Sequence, residues 1–375
     1  MGKIRNFIKG FIPHKLIQKR NSVRFMDHYH EWKKTDDGRE FDEESLFDSI
    51  VSVQGFGYSG SGAVVDLLRE YDDTRVLGYV SPIGSKTNKK EDVGELDFFR
   101  QTGGLLHIGH MMEKQPLPSL FWNDVVIKEY TKLIFYSYTY KQMPELRWIF
   151  YRFFEQIVEQ SIYTPTKMPF NGHLDSYGQE HYMHFLKPMT GQQYQELCKR
   201  MLYTIFNTLY KPQYKRIVLD QMFGDCGFGE ELYQGYLPGV KQVVVFRDPR
   251  DVYAIALKLD VNWVAHDTVD NYIKWTEIAY RSFSPSLTNC LPVRFEDLIY
   301  DYENQTKRIE DYLKLNPAHH TKKKECFDPA ISCKTVGLWK KFPKRKAEFD
   351  IIKETFPDLC YRGEKDEGGG MRDEG

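Results

Sequence analysis

The stretch Ser52-Val53-Gln54-Gly55-Phe56-Gly57-Tyr58-Ser59-Gly60-Ser61-Gly62-Ala63-Val64-Val65-Asp66-Leu67-Leu68 joins an apolar run to a helical pattern through a glycine-rich turn. Ile50, Val51 and Val53 lead in as a strand, and Ala63, Val64, Leu67 and Leu68 recur at helical spacing. Strand, Gly-rich turn and helix form the context in which backbone N–H groups and a helix N-terminus hold an anion. The nucleotide-hydrolase form of such a loop, G-x-x-x-x-G-K-[ST], adds a lysine for phosphate and a hydroxyl for magnesium. Gly55 and Gly60 fit its spacing, but Ser61 stands at the lysine position and Gly62 at the hydroxyl position. The loop reads as a phosphate cradle lacking both groups, against the plainer reading of a structural turn.

Working outward, short apolar runs at Thr74–Tyr79, Arg216–Asp220, Gln242–Phe246 and Leu291–Phe295 predict further strands, and 61–71 and 302–314 predict helices. Continuous apolar strands alternating with helices imply an α/β fold, a parallel sheet covered by helices on both faces in three layers. Residues 120–163 and 190–211 carry apolar and aromatic residues at helical spacing, so a helical insertion is expected at about 110–212. The Pro/Gly/His-rich segment 164–191 between them reads as a long loop, and long loops are often functional. The chain thus divides into an N-terminal segment and linker (1–47), an α/β domain (48–360) and a tail (361–375). The Gly/Asp/Glu-rich residues 363–375 are expected to be disordered.

The 375 residues are 41% hydrophobic and carry a net charge of −1, which gives the whole-molecule field no preferred partner, and no nucleic-acid partner is expected. The local distribution differs. Residues 1–24 hold seven Lys or Arg and no acid, and 322–346 hold nine against Glu325 and Asp328 alone. Ile4, Phe7, Ile8, Phe11 and Ile12 lie at helical spacing among the first of these basic residues. Such a helix suits peripheral contact with an anionic membrane, or packing on the body of the protein. Six scattered cysteines with no C-x-x-C pair fit reduced thiols. No run of ~18 apolar residues occurs and the first residues lack a signal-peptide core, so a cytoplasmic location is expected.

A second motif, Val243-Val244-Val245-Phe246-Arg247-Asp248-Pro249-Arg250-Asp251-Val252, places an arginine at the carboxyl end of a strand. Ligands of open α/β sheets bind at that edge, where Arg247 would grip a phosphate as a bidentate donor. Asp248 is expected to cap the helix that follows. Two further stretches are Phe295-Glu296-Asp297-Leu298 and Gly337-Leu338-Trp339-Lys340, the latter within the second basic block.

In this order, the four motifs resemble the sulfotransferase family that uses 3′-phosphoadenosine 5′-phosphosulfate, over about residues 49–345. The pattern is nearest to carbohydrate sulfotransferases. The resemblance implies that the first loop (Gly57, Tyr58, Ser59, Gly60, Ser61, Gly62) takes the 5′-phosphosulfate through backbone N–H groups and the two serine hydroxyls. It implies that Arg247, with Arg250, holds the 3′-phosphate, and that Lys334, Trp339 and Lys340 close over the nucleotide. No metal is expected. The sequence departs from the family pattern at Tyr58, where Lys or Arg is common, and at Ile255, where a hydroxyl residue is common.

Sulfuryl transfer needs a base for the acceptor hydroxyl and stabilisation of the leaving phosphate. The resemblance nominates Glu95, in Gly94-Glu95-Leu96-Asp97-Phe98-Phe99, as the base, with His107 and His110 next. His173, His181 and His184 are expected to meet acceptor, and Asp220 ends a strand at the ligand edge. The implied acceptor is a hydroxyl of a carbohydrate or glycan. Two alternatives stand beside this reading: a catalytically silent member of the fold that binds nucleotide or glycan, and a small-molecule kinase, against which the missing G-K-[ST] speaks.

Overall fold

The structure, a computed structural model, describes residues 25–77, 144–164, 181–220, 235–260, 264–281 and 290–362. The amphipathic segment 1–24, the tail 363–375, Glu95, His107, His110 and His173 lie outside these residues. The strands are β1 (Ser49–Gly55), β2 (Thr74–Leu77), β3 (Val158–Thr164), β4 (His181–Leu186), β5 (Arg216–Asp220), β6 (Lys241–Phe246) and β7 (Cys290–Arg294). The helices are α1 (25–33), α2 (Ser61–Arg69), α3 (Arg147–Ile157), α4 (Gly191–Thr208), α5 (Pro249–Leu259), α6 (Val269–Arg281), α7 (Phe295–Tyr300), α8 (Tyr302–Leu313), α9 (Pro329–Ser332) and α10 (Lys346–Thr355). The chain forms two compact units: Met1–Phe47 with Val93–Lys211 and Gly235–Leu237, and Asp48–Asp92 with Pro212–Gln234 and Pro238–Gly375.

The second unit carries a five-stranded sheet in the order β2-β5-β1-β6-β7, parallel at every pairing and flanked by helices. Strands β1, β5 and β6 are short Val/Ile/Leu-rich runs buried along almost their whole length, the pattern of strands covered on both faces. Val51, Val53, Val218, Val243, Val245 and Val293 share one core with Val64, Val65, Leu67 and Leu68 of α2 and Ile309 and Leu313 of α8. A second core joins Val252, Tyr253 and Ala256 of α5 to Tyr272 of α6 and to Phe349 and Ile352 of α10. Leu67 and Leu68 are fully buried, so truncating either to Ala costs ~2–5 kcal/mol. The strand positions read from the sequence hold to within a residue or two, and Phe295 opens α7 instead of closing β7.

The register fixes the site. Gly55 pairs with Val245, and Phe246 pairs with Arg294. Three neighbouring strands, β1, β6 and β7, therefore end side by side, and the chain leaves them into the Gly-rich loop, Arg247 and Phe295 respectively.

The first unit corrects three expectations. Residues 158–163, read as helix, belong to strand β3, and β4 lies inside the segment read as a loop; the two pair antiparallel, with Ile162 opposite Met183 and Tyr163 opposite Tyr182. Val158, Ile162, Tyr163 and Thr164 are β-formers, and the strand ladder prevails where the apolar helical face ends at Ile157. His181 and His184 lie on β4. Residues 27–47, read as a linker, include most of helix α1 and bury Phe41 and Phe47. Arg152 of α3 anchors this segment, donating to Asp36 at 2.6 Å, to Glu155 at 2.8 Å and to the Arg39 carbonyl at 2.9 Å. Among the described residues, no helix is long and apolar enough to cross a membrane.

Candidate phosphate-binding site

The Gly-rich turn is held by its own backbone and one serine. The Phe56 N–H donates to Ser59 Oγ at 3.0 Å, and the Ser59 N–H donates back to the Phe56 carbonyl at 3.1 Å. The buried Ser59 hydroxyl thus shapes the loop. Tyr58 (φ 57°) and Gly60 (φ 95°) take left-handed backbone, and Gly60 caps α2. A Cβ on Gly55 would run into Ser59 Oγ, one on Gly57 would stand 2.9 Å from Val264 Cγ2, and one on Gly60 would strike the Phe295 ring. A Cβ on Gly62 would meet nothing within 4 Å. Three glycines are therefore dictated by packing, while the fourth borders open space at the amino end of α2. That end carries the amide groups and positive dipole end that favour an anion.

Arg247, immediately after β6, is 4% exposed. Its guanidinium carbon lies 4.5 Å from the Phe295 ring centroid, and Nη2 donates to the Thr335 carbonyl. Its Nε is buried with no partner among the described residues. Asp248 caps α5 as expected, accepting from the Arg250 N–H at 2.9 Å. The same carboxylate accepts from Arg250 Nη2 at 2.6 Å and from the Tyr361 N–H at 3.0 Å. Arg250 is therefore turned into an ion pair with Asp248, and its guanidinium carbon lies 4.4 Å from the Trp339 ring centroid. The Asp248 N–H donates to Glu296 Oε1 at 2.9 Å.

The fourth motif is tied to the second. Asp251, 1% exposed, accepts from the Gly337 N–H at 2.7 Å and the Trp339 N–H at 3.2 Å. Gly337 is left-handed (φ 71°), which turns the chain so that both amides face one carboxylate. Trp339 packs on Phe349 of α10, Lys334 and Lys340 are exposed, and Lys340 Nζ lies 5.6 Å from the Trp339 ring centroid.

All five charged side chains of this cluster, Arg247, Asp248, Arg250, Asp251 and Glu296, are buried. Burial lowers the Arg247 pKa against the opposing pull of Asp251, Glu296 and Asp248, yet a guanidinium stays charged. Burial raises the Asp251 carboxyl and pushes the Glu296 carboxyl up to about 7. Glu296 Oε2, like Arg247 Nε, is buried with no partner among the described residues. Burial also raises the Tyr58 phenol, so Tyr58 is a neutral donor.

The structure thus brings together the loop residues Gly57 to Gly62, Arg247 and the Gly337–Lys340 segment. Arg250 and Ser59 are engaged with protein groups, while Lys334 and Lys340 stand at the surface. The sequence reading gave no role to Asp251, Phe295 or Glu296, although each lies within a quoted motif. An acidic residue repeated three positions after Asp248, and an aromatic directly after a strand-end arginine, are the signals that mark the first two. An orphaned buried guanidinium N–H beside a Gly-rich helix start is the donor set that a phosphate group requires.

No protein-family model matches the chain, and no curated protein matches it. Among solved structures the chain is similar to sulfotransferase STF1 from Mycobacterium tuberculosis H37Rv, at 11% identity and TM-score 0.36, over 91% of this chain and 82% of that one. It is similar to the sulfotransferase domain of the Synechococcus PCC 7002 olefin synthase, at 12% identity and TM-score 0.38, over 85% of this chain and 98% of that one. It is also similar to sulfotransferase STF9 from Mycobacterium avium, at 11% identity and TM-score 0.37, over 91% and 81%. Each of these three structures is of a sulfotransferase or a sulfotransferase domain.

Proposed function

We propose that the protein transfers a sulfuryl group from 3′-phosphoadenosine 5′-phosphosulfate to a carbohydrate hydroxyl. The observation that carries this reading is the convergence of the quoted motifs at the carboxyl edge of β1, β6 and β7, with Arg247 Nε buried there and unpartnered among the described residues. Arg247 would take the 3′-phosphate, and the amides of residues 57–62 the 5′ side, at the amino end of α2. In the reaction the sulfur–oxygen bond to the phosphate breaks and one to the acceptor oxygen forms, and the acceptor proton passes to a base. Glu95 is assigned that base by resemblance, with His107 and His110 as alternatives. Mixing the purified protein with sulfur-labelled donor and a panel of glycans tests this directly. Label appearing on a glycan supports the reading, and none on any acceptor, with donor bound, opposes it.

One observation favours a second reading, a nucleotide-binding member of the fold without transfer activity. Tyr58 is a neutral phenol where the family places a cation, and with Trp275 and Trp339 it packs against the apolar cluster that holds Val264, Tyr272 and Leu338. In that case the nucleotide binds and no label moves.

A further inference from the structure

We propose that Glu296 is a positioning residue whose carboxyl takes up a proton when an anion binds at Arg247. The inference rests on the reading of Arg247 as a phosphate-binding group. Glu296 is fully buried at the start of α7, and one of its oxygens holds the Asp248 N–H, the residue next to Arg247. Its other oxygen is buried with no partner among the described residues, as is Arg247 Nε.

The charged and titratable groups around this carboxyl come from several elements. Arg247, Asp248 and Asp251 lie at the end of β6 and the start of α5, and Tyr300 on its own helix. Arg250 is paired with Asp248. With Glu296 ionised, two cations face three carboxylates in a buried cluster. A phosphate dianion arriving at Arg247 adds two further negative charges beside that carboxylate. Like charges in a buried site raise carboxyl pKa values, and burial has already brought this one to about 7. Neutralising Glu296 leaves Arg247 to the ligand, and the Oε1 bond to the Asp248 N–H keeps the turn in place. The proton comes from the buffer, and its uptake is linked to binding.

Calorimetry of adenosine 3′,5′-bisphosphate binding, repeated at pH 8 in buffers of different ionisation enthalpy, counts the protons. The phosphate itself titrates near pH 6 and is already a dianion there. The wild-type protein takes up more than about half a proton per nucleotide, and its affinity falls roughly five- to tenfold from pH 7 to 8.5. Glu296→Gln keeps an oxygen for the Asp248 N–H but cannot gain a proton. It takes up almost none, and its affinity is flat over the same range. A purely structural role would leave the pH profile of this variant like that of the wild type. Nucleotide binding without proton uptake, or equal uptake by Glu296→Gln, overturns the proposal and leaves the Arg247 site standing. Failure of the wild type to bind nucleotide overturns both. Should Glu296→Gln not fold, infrared difference spectra of the wild type decide: a protonated-carboxyl band gained on binding supports the proposal, and its absence overturns it.

Discussion

The Arg247 guanidinium carbon stands 4.5 Å from the centroid of the Phe295 ring. The same ring is what a side chain on Gly60 would strike. One aromatic residue thus spaces the Gly-rich loop from the strand-end arginine, and both contacts depend on β1, β6 and β7 ending in step.

Gly60 and Gly62 are expected to respond oppositely to alanine. Gly60→Ala puts a Cβ into the Phe295 ring at a φ of 95°. It should cost roughly 2–4 kcal/mol in chemical denaturation. Gly62→Ala meets open space in a helix and should gain up to about 1 kcal/mol. It should nevertheless weaken adenosine 3′,5′-bisphosphate, because the added methyl occupies the ligand's side of the loop. A stable Gly62→Ala protein with unchanged affinity places the phosphate elsewhere.

Asp251 joins α5 to the Gly337–Trp339 backbone across 86 and 88 residues of sequence. Asp251→Ala leaves two amides without their acceptor, at about 1–3 kcal/mol each where they remain shielded from water. Hydrogen exchange in 333–342 should then speed up while β1 and β6 stay protected. Unchanged exchange in that segment would mean that other contacts hold it.

Glu296 gives a pH signature in stability. Its folded pKa of about 7 lies above the ordinary value of 4.5, so the native state holds this proton more tightly than the unfolded chain. The stabilisation from that proton is complete below about pH 4.5 and is lost as pH rises to about 7. Glu296→Gln has no such proton. Its stability relative to the wild type should therefore rise by roughly 3 kcal/mol between pH 4.5 and 8. A constant difference across that range shows that the carboxyl titrates normally.

Strands, helices and the strand-end arginine were legible in the sequence because buried parallel strands are unbroken apolar runs and the α2 and α5 starts carry turn residues. The β3–β4 hairpin was not, because Val158–Thr164 continues directly from an aromatic-rich helix and its partner begins 17 residues after it ends. Local pattern does not report a pairing of that kind. The motif residues were found but not all their duties. Arg250 carries the positive charge that attracts a phosphate, yet Asp248 two positions earlier claims it. The partners of Asp251 and Glu296 lie 86 and 48 residues away, and only the folded sheet brings them together.

The base assignment is open to a direct kinetic comparison. A positioned general base contributes ~10²–10⁴-fold in rate. Glu95→Gln keeps the size of the side chain and cannot accept the proton, so kcat should fall by that order with nucleotide affinity nearly unchanged. Full turnover in Glu95→Gln, with loss in His107→Ala or His110→Ala, transfers the role to a histidine.

Titration of the wild type and Arg247→Ala with adenosine 3′,5′-bisphosphate and with AMP isolates the 3′-phosphate contact, since the two nucleotides differ in that group alone. A charge-assisted contact of ~1.5–3 kcal/mol gives the wild type a roughly ten- to hundredfold preference for the bisphosphate. Arg247→Ala should lose that preference and still bind AMP as the wild type does. Equal affinity of the wild type for both nucleotides, or a preference that survives in Arg247→Ala, contradicts the assignment of Arg247 and the nucleotide site built around it.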